Sequence, residues 1–243
     1  MAVDYSRLAA DYDRGRADDL IDRTFWLRGL IEVGRIRPPD WVLDAGAGTG
    51  RFARLLSETN RVVAVDPSRD MLSVAHGKGG FPCVRGDAHC LPFRANTFDV
   101  AMVVMVLQHL ADFASAIVEI GRASRAIAIA TIDMARRRLG IMEEAFPSLL
   151  GIDRVRFPAV EAIVAALKAA GFRDVRVEDR LLVRTFTPEA QLERVRHRYV
   201  STFDLLPPGE FERGLRFLES ELPRRYPDGY EVRTPFTFLA GTK

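Results

Sequence analysis

The segment Val42-Leu43-Asp44-Ala45-Gly46-Ala47-Gly48-Thr49-Gly50 constrains the fold more than any other part of the chain. Trp41 to Asp44 reads as a short apolar strand, the glycines as a turn, and Arg51 to Ser57 as a helix. Glycine reaches positive φ at no steric cost and lets a ligand come close to the backbone. The helix N-terminus that follows offers free N–H groups to an anion such as a carboxylate or phosphate. Strand, glycine turn and helix in that order belong to parallel α/β folds, and dehydrogenases share the pattern.

Three details separate the readings. The spacing is G-x-G-x-G, whereas the dinucleotide fingerprint is G-x-G-x-x-G. Asp44 stands two residues before the first glycine, where a carboxylate would repel a pyrophosphate and suits an ammonium group. Asp66 ends the second strand, where a carboxylate can accept both ribose hydroxyls; NAD enzymes share that feature, so it does not discriminate. The plain alternative is that the glycines only make a tight turn and the aspartates only cap helices.

The rest of the chain alternates. Val62 to Val65 reads as a second strand, with a helix after Pro67 as far as Ala75, and Phe81 to Arg85 as a short third strand. Phe98 to Val106 is a near-continuous apolar strand of the kind buried on both faces of a parallel sheet. Ala111 to Ile120 reads as a helix and Ala126 to Ile132 as a fifth strand. Ala135 to Leu150 reads as an inserted helical segment, and Ala159 to Ala170 as an amphipathic helix closed by Gly171. Val175 to Val183 alternates as a sixth strand. Thr187-Pro188-Glu189 looks like an N-cap with proline at the first helical position, and opens two helices, Glu189 to Thr202 and Gly209 to Leu222. Tyr230 to Leu239 closes the chain as an antiparallel edge strand. The expected fold is α/β: a doubly wound, mostly parallel, seven-stranded Rossmann-like sheet with helices on both faces and its last strand antiparallel. One domain spans 1–243, with a helical cap over 1–37, a helical insertion over 134–157 and a helical lid or substrate region over 187–225.

The blocks Val42 to Ala53 (VLDAGAGTGRFA), Val62 to Leu72 (VVAVDPSRDML) and Gly86 to Leu110 resemble the class I S-adenosylmethionine-dependent methyltransferases. The resemblance is to the type 11 branch, which includes the ubiquinone and menaquinone biosynthesis enzymes. It covers residues 40–133 well and the flanking parts loosely. It implies S-adenosyl-L-methionine as cofactor. By position, Asp44, Gly46, Gly48 and Gly50 would hold its methionine end and Asp66 its ribose hydroxyls. Pro67 and Met71 would pack near the adenine, Asp87 would accept from the adenine amino group, and the Ala88 backbone would touch the ring. Met105 and Gln108 would line the sulfonium side, and Tyr12 would cover the cofactor. Met71 and Met105 can equally be plain core residues, since methionine fills gaps well.

His109, beside Gln108, is a candidate general base toward a hydroxyl or phenol acceptor; its alternatives are capping the next helix or shaping the pocket. His89, Cys90 and Cys83 fit no common zinc spacing, so no metal is expected. His76 and His197 read as surface residues. Two cysteines make no disulfide framework, and the longest apolar run, Val100 to Leu107, is far too short for a membrane span. These features, with the charged N-terminus, point to a cytoplasmic protein. Lys plus Arg is 35 against 33 for Asp plus Glu, so charge does not demand nucleic acid. The arginines at 136–138, 154, 156, 194, 196, 198, 224 and 225 read as a solvated surface, with an anionic substrate or RNA as the sharper alternative. Phe146, Phe157, Tyr199, Phe203 and Phe211 either line an apolar cavity or form the inner faces of packed helices. The leading function is methylation of a small molecule. The competitors are an RNA methyltransferase, an NAD(P)-dependent oxidoreductase and a non-catalytic binding protein on the same scaffold.

Overall fold

The computed structural model describes residues 20–243. Helix α1 (Leu20–Gly34) leads into β1 (Trp41–Ala45), α2 (Arg51–Leu56), β2 (Arg61–Asp66), α3 (Arg69–Lys78) and β3 (Cys83–Arg85). There follow β4 (Phe98–Val104), a 3-10 turn (Leu107–His109), α4 (Phe113–Ala123) and β5 (Ser124–Thr131). The second half comprises α5 (Ile141–Ala145), α6 (Leu149–Arg156), α7 (Val160–Ala169), β6 (Arg173–Phe186), α8 (Pro188–Arg196), a 3-10 turn (Ser201–Leu205), α9 (Glu210–Arg225) and β7 (Tyr230–Thr242).

The seven strands form one sheet in the order β3-β2-β1-β4-β5-β7-β6. β1 to β5 pair in parallel, and β7 runs antiparallel to both β5 and β6. The inner parallel strands are apolar because both faces are covered. Val42, Val62, Ala64, Val100 and Met102 point into one core with Trp26 and Leu30 of α1. Leu43, Val63, Val65, Ala101 and Val103 point into the other, with Ile117 and Ile120 of α4. A third cluster, around Phe146, Phe203, Leu218 and Leu222, joins α5, α6, α8 and α9 with Tyr230 at the start of β7.

The last strand is not at the edge. β7 lies between β5 and β6, and β6 is the edge strand, extending over fourteen residues. The side chains explain the order. Phe238, Leu239 and Ala240 of β7 are fully buried on alternate faces, whereas β6 carries Arg176, Glu178, Asp179, Arg180 and Arg184 and tolerates solvent. The helical insertion also starts later than expected, at Ile141 after the positive-φ Gly140, and Pro147 divides it into two short helices. The expected helix from Glu189 to Thr202 stops at Arg196, because Arg198 takes φ 46° and the chain passes into the 3-10 turn. The cap at Thr187 forms as expected: its hydroxyl accepts from the Ala190 N–H at 3.2 Å. Thr187→Ala is expected to lower the unfolding free energy by about 1 kcal/mol, read as a shifted midpoint in chemical denaturation.

Candidate functional site

The carboxyl ends of β1 to β5 face one side of the sheet, and the strand order reverses between β1 and β4. Ligands of open α/β sheets bind at such a switch point. The glycine loop sits there. The N–H groups of Gly46 and Ala47 both donate to the Val65 carbonyl, at 2.8 and 2.9 Å, which folds the loop over the end of β2. Gly46 has φ 78°, and a Cβ on it would lie 2.4 Å from Val106 Cγ2, so its missing side chain lets the loop seat across the crevice. Gly48 has φ 54°, and a Cβ there would meet nothing within 4 Å. Its face is the open one. Gly50 is the N-cap of α2.

Two carboxylates flank the loop. Asp44 is 2% exposed. It accepts the Ala53 backbone N–H, while its Oδ2 has no hydrogen-bond partner among the described residues. Burial, helped by the charge of Asp66, pushes its carboxyl up to about 7. Asp66 accepts from the Gly48 N–H at 2.8 Å and the Ser68 N–H at 2.9 Å, tying the loop to the start of α3. Burial holds its carboxyl above the usual range despite those two bonds. A carboxylate offers about four acceptor positions, so Asp66 can hold the loop and still accept hydroxyls.

Two further buried side-chain oxygens lack hydrogen-bond partners among the described residues: Gln108 Oε1, after β4, and Thr131 Oγ1, at the end of β5; Arg176 Nε and Nη2, on the edge strand β6, do so too. With Asp44 Oδ2 the two oxygens place three unmet groups at the ends of β1, β4 and β5. Buried polar atoms are seldom left unpaired, so a ligand with a cationic end and hydrogen-bonding groups fits this crevice. A pyrophosphate against Asp44 does not.

The loop after β3 is braced from α4. Asp87 accepts from the His89 N–H at 2.9 Å and from the ring at 2.7 Å, and His89 Nε2 lies 2.9 Å from the Asp112 carbonyl. Both ring nitrogens face acceptors, and the bond to Asp87 raises the imidazole's affinity for a proton. The same bonds hold the Asp87 carboxyl below its ordinary value. Glu119 accepts the Leu91 N–H at 2.7 Å, and Arg122 donates to the Leu91 carbonyl at 3.2 Å. Asp87 keeps an exposed carboxylate, Ala88 is half-buried, Pro67 is exposed, and Met71 is buried on α3. Tyr12 lies outside the described residues.

Residues 43–128 match the model of a methyltransferase domain, type 11. They form a class I, S-adenosylmethionine-dependent methyltransferase domain. Over 98 residues the chain is 36% identical to the ubiquinone/menaquinone biosynthesis C-methyltransferase UbiE of Teredinibacter turnerae, a match covering 36% of this chain and 39% of that protein. The UbiE of Haemophilus ducreyi is 32% identical over 122 residues, or 44% of this chain and 46% of that one. The chain thus spans less than half the length of these curated relatives. In fold, it is similar to a candidate methyltransferase from an antibiotic biosynthesis pathway of Anabaena variabilis, with TM-score 0.77 and 21% identity over 90% of this chain and 97% of that one. It is also similar to phosphoethanolamine N-methyltransferase 2 of Haemonchus contortus in complex with S-adenosylhomocysteine, with TM-score 0.57 and 22% identity over 95% and 58% of the two chains.

In this methyltransferase domain the chain turns sharply after β4. Met105 takes φ 54° and donates its N–H to the Ala130 carbonyl at 2.9 Å. Gln108 reaches back to donate to the Met105 carbonyl at 2.7 Å. His109 is exposed; its Nε2 lies 3.2 Å from Gln108 Nε2, and its Nδ1 lies 3.3 Å from Arg156 Nη2. Arg156, read above as a solvated residue, is instead mostly buried: it donates to Thr202 Oγ1 at 2.9 Å and to Ser201 Oγ at 3.3 Å. Thr202 in turn donates to Asp153, whose carboxyl burial pushes up. Asp153, Ser201, Thr202, Thr131, Glu119 and Arg122 escaped the sequence reading, since no motif marks them. Of the aromatic residues, Phe146 and Phe203 are fully buried with rings 5.0 Å apart, and Phe211 and Tyr199 pack on them. They form the inner faces of packed helices. Phe157 lies half-buried against the α1-side core.

Proposed function

We propose that the chain transfers the methyl group of S-adenosylmethionine to a small-molecule acceptor with an oxygen, nitrogen or carbon nucleophile. The observation that carries this reading is Oδ2 of Asp44, which has no partner among the described residues and is buried beneath a G-x-G-x-G loop at the switch point. It favours a ligand with an ammonium group over a dinucleotide. Asp44 and the loop of Gly46, Gly48 and Gly50 hold the methionine end, and Asp66 accepts the ribose hydroxyls. Asp87 accepts from the adenine amino group, the Ala88 backbone touches the ring, and Pro67 and Met71 flank it. Met105 and Gln108 line the sulfonium side, and Tyr12 covers the cofactor.

When bound, the cofactor supplies a methyl group on a positively charged sulfur, which leaves readily. The chain's own work is then to align the acceptor and exclude water. His109 takes a proton from a hydroxyl or phenol acceptor. The whole chain acts as one domain, in which 1–37 caps the cofactor and 134–157 and 187–225 carry the acceptor. The third apolar cluster, which unites those last two segments, supports this division. Exposed arginines are matched by acids, Arg196 with Glu219 and Arg224 and Arg225 with Glu221, which disfavours an RNA substrate. No helix among the described residues is long and apolar enough to cross a membrane. We place the protein in the cytoplasm, in keeping with its unpaired cysteines Cys83 and Cys90.

Calorimetric titration with S-adenosylhomocysteine and, separately, NAD tests the reading. S-adenosylhomocysteine is expected to bind, and Asp66→Ala to weaken it by about tenfold or more, the worth of charge-assisted hydrogen bonds to the ribose. Binding of NAD alone would overturn it.

A further inference from the structure

Arg137 stands in the loop after β5, on the ligand side of the sheet, between two arginines of ordinary kind. Arg136 is exposed and pairs with Asp179, and Arg138 is exposed and donates to the carbonyls of Ala135 and Arg137. Arg137 is different. Its Nη1 donates to the buried Thr234 hydroxyl at 2.8 Å and to the Arg233 carbonyl at 3.4 Å. It makes no ion pair among the described residues, and burial lowers the proton affinity of its guanidinium. The nearby acids are engaged elsewhere: Asp153 with Thr202 and Arg156, and Glu143 with the Leu139 N–H at 2.7 Å. Tyr230, also close, donates to the Leu139 carbonyl at 3.0 Å. A guanidinium carries five donors, and only Nη1 of Arg137 finds an acceptor among the described residues, so Nε and Nη2 present three N–H groups with none there. That planar fork matches a carboxylate or a phosphate.

Neighbouring groups link Arg137 to the methyl-transfer end. Asp153, a near neighbour of Arg137, lies 3.5 Å from Arg156, and Arg156 reaches His109, which adjoins Gln108. We infer that Arg137 binds an anionic group of the methyl acceptor, so that the acceptor is an acidic small molecule carrying a carboxylate or phosphate. The inference rests on the methyltransferase reading and deepens it. Arg137 is a specificity residue that anchors the acceptor while its nucleophile faces the sulfonium side.

The test uses the full chain saturated with S-adenosylhomocysteine and titrated with benzoate, with its neutral isostere benzamide, and with inorganic phosphate. At least one anion is expected to bind about tenfold or more tightly than benzamide, and which one does so tells carboxylate from phosphate. Arg137→Gln is expected to remove that preference and Arg137→Lys to retain part of it, both with S-adenosylhomocysteine affinity unchanged. The inference is overturned if neither anion exceeds benzamide, or if Arg137→Gln binds anions as the parent does. Should Arg137→Gln not fold, the parent's anion preference and its reduction in Arg137→Lys decide. Failure of the parent to bind S-adenosylhomocysteine rejects the methyltransferase reading instead.

Discussion

Gly46→Ala is expected to destabilise the protein by about 3 kcal/mol or more and to abolish S-adenosylhomocysteine binding. Two costs add. An L-residue at φ 78° bears backbone strain of about 1–3 kcal/mol. The new Cβ would also lie 2.4 Å from Val106 Cγ2, and relieving such overpacking costs about 1–3 kcal/mol more. Against a total stability of about 5–15 kcal/mol that is a large share. The damage falls where the loop crosses from β1 to the segment after β4, so it moves the loop away from Met105 and Gln108. Gly48→Ala is the control. It bears the strain of φ 54° but meets no neighbour, so it should cost about 1 kcal/mol and still weaken the ligand by filling the open face. Chemical denaturation and calorimetry on both variants separate the two effects. Equal stability of the variants would show that Val106 yields freely and that the close contact does not set the loop.

The parts of this molecule that were legible in its sequence are those whose signal is local. A parallel strand buried on both faces is a continuous apolar run, so β1, β2, β4 and β5 stand out, and the loop at their carboxyl ends is marked by its glycines. The place of β7 is a long-range fact. Its buried Phe238 and Leu239 and the charges of β6 carried the information, but alternation alone gives a strand and not its neighbours. The same division holds at the site. Asp44 and Asp66 follow from spacing. The bracing of Leu91 by Glu119 and Arg122 joins residues about thirty positions apart and leaves no motif. Arg137 was hidden by its setting in a run of three arginines, where charge suggests solvent. Its one clue was position: a loop following β5, where ligands of such sheets bind.

Asp44 supplies the other large effect, and its sign is unusual for a carboxylate. Its folded carboxyl titrates at about 7 against an ordinary 3.8. Between those values the folded state binds more protons than the unfolded one. The contribution of Asp44 to stability therefore falls as pH rises from about 4 to about 7, by up to about 4 kcal/mol, and stays lost above that. Asp44→Asn is accordingly expected to raise the unfolding free energy of the ligand-free protein at pH 8 and to leave it unchanged near pH 4. Binding runs the opposite way. An ammonium group needs the ionised carboxylate, so S-adenosylhomocysteine affinity should fall by about tenfold per unit below pH 7, near a hundredfold at pH 5. In Asp44→Asn the affinity at pH 8 should already be lower by about that factor, and most of the slope should vanish; whatever slope survives belongs to Asp66, whose carboxyl is also raised. Calorimetry from pH 5 to pH 8 on both proteins reads this directly. A variant that keeps the parent's affinity and slope would remove Asp44 from the ammonium site. The expected pairing, a more stable apoprotein that no longer holds its ligand, follows from one buried oxygen without a partner among the described residues.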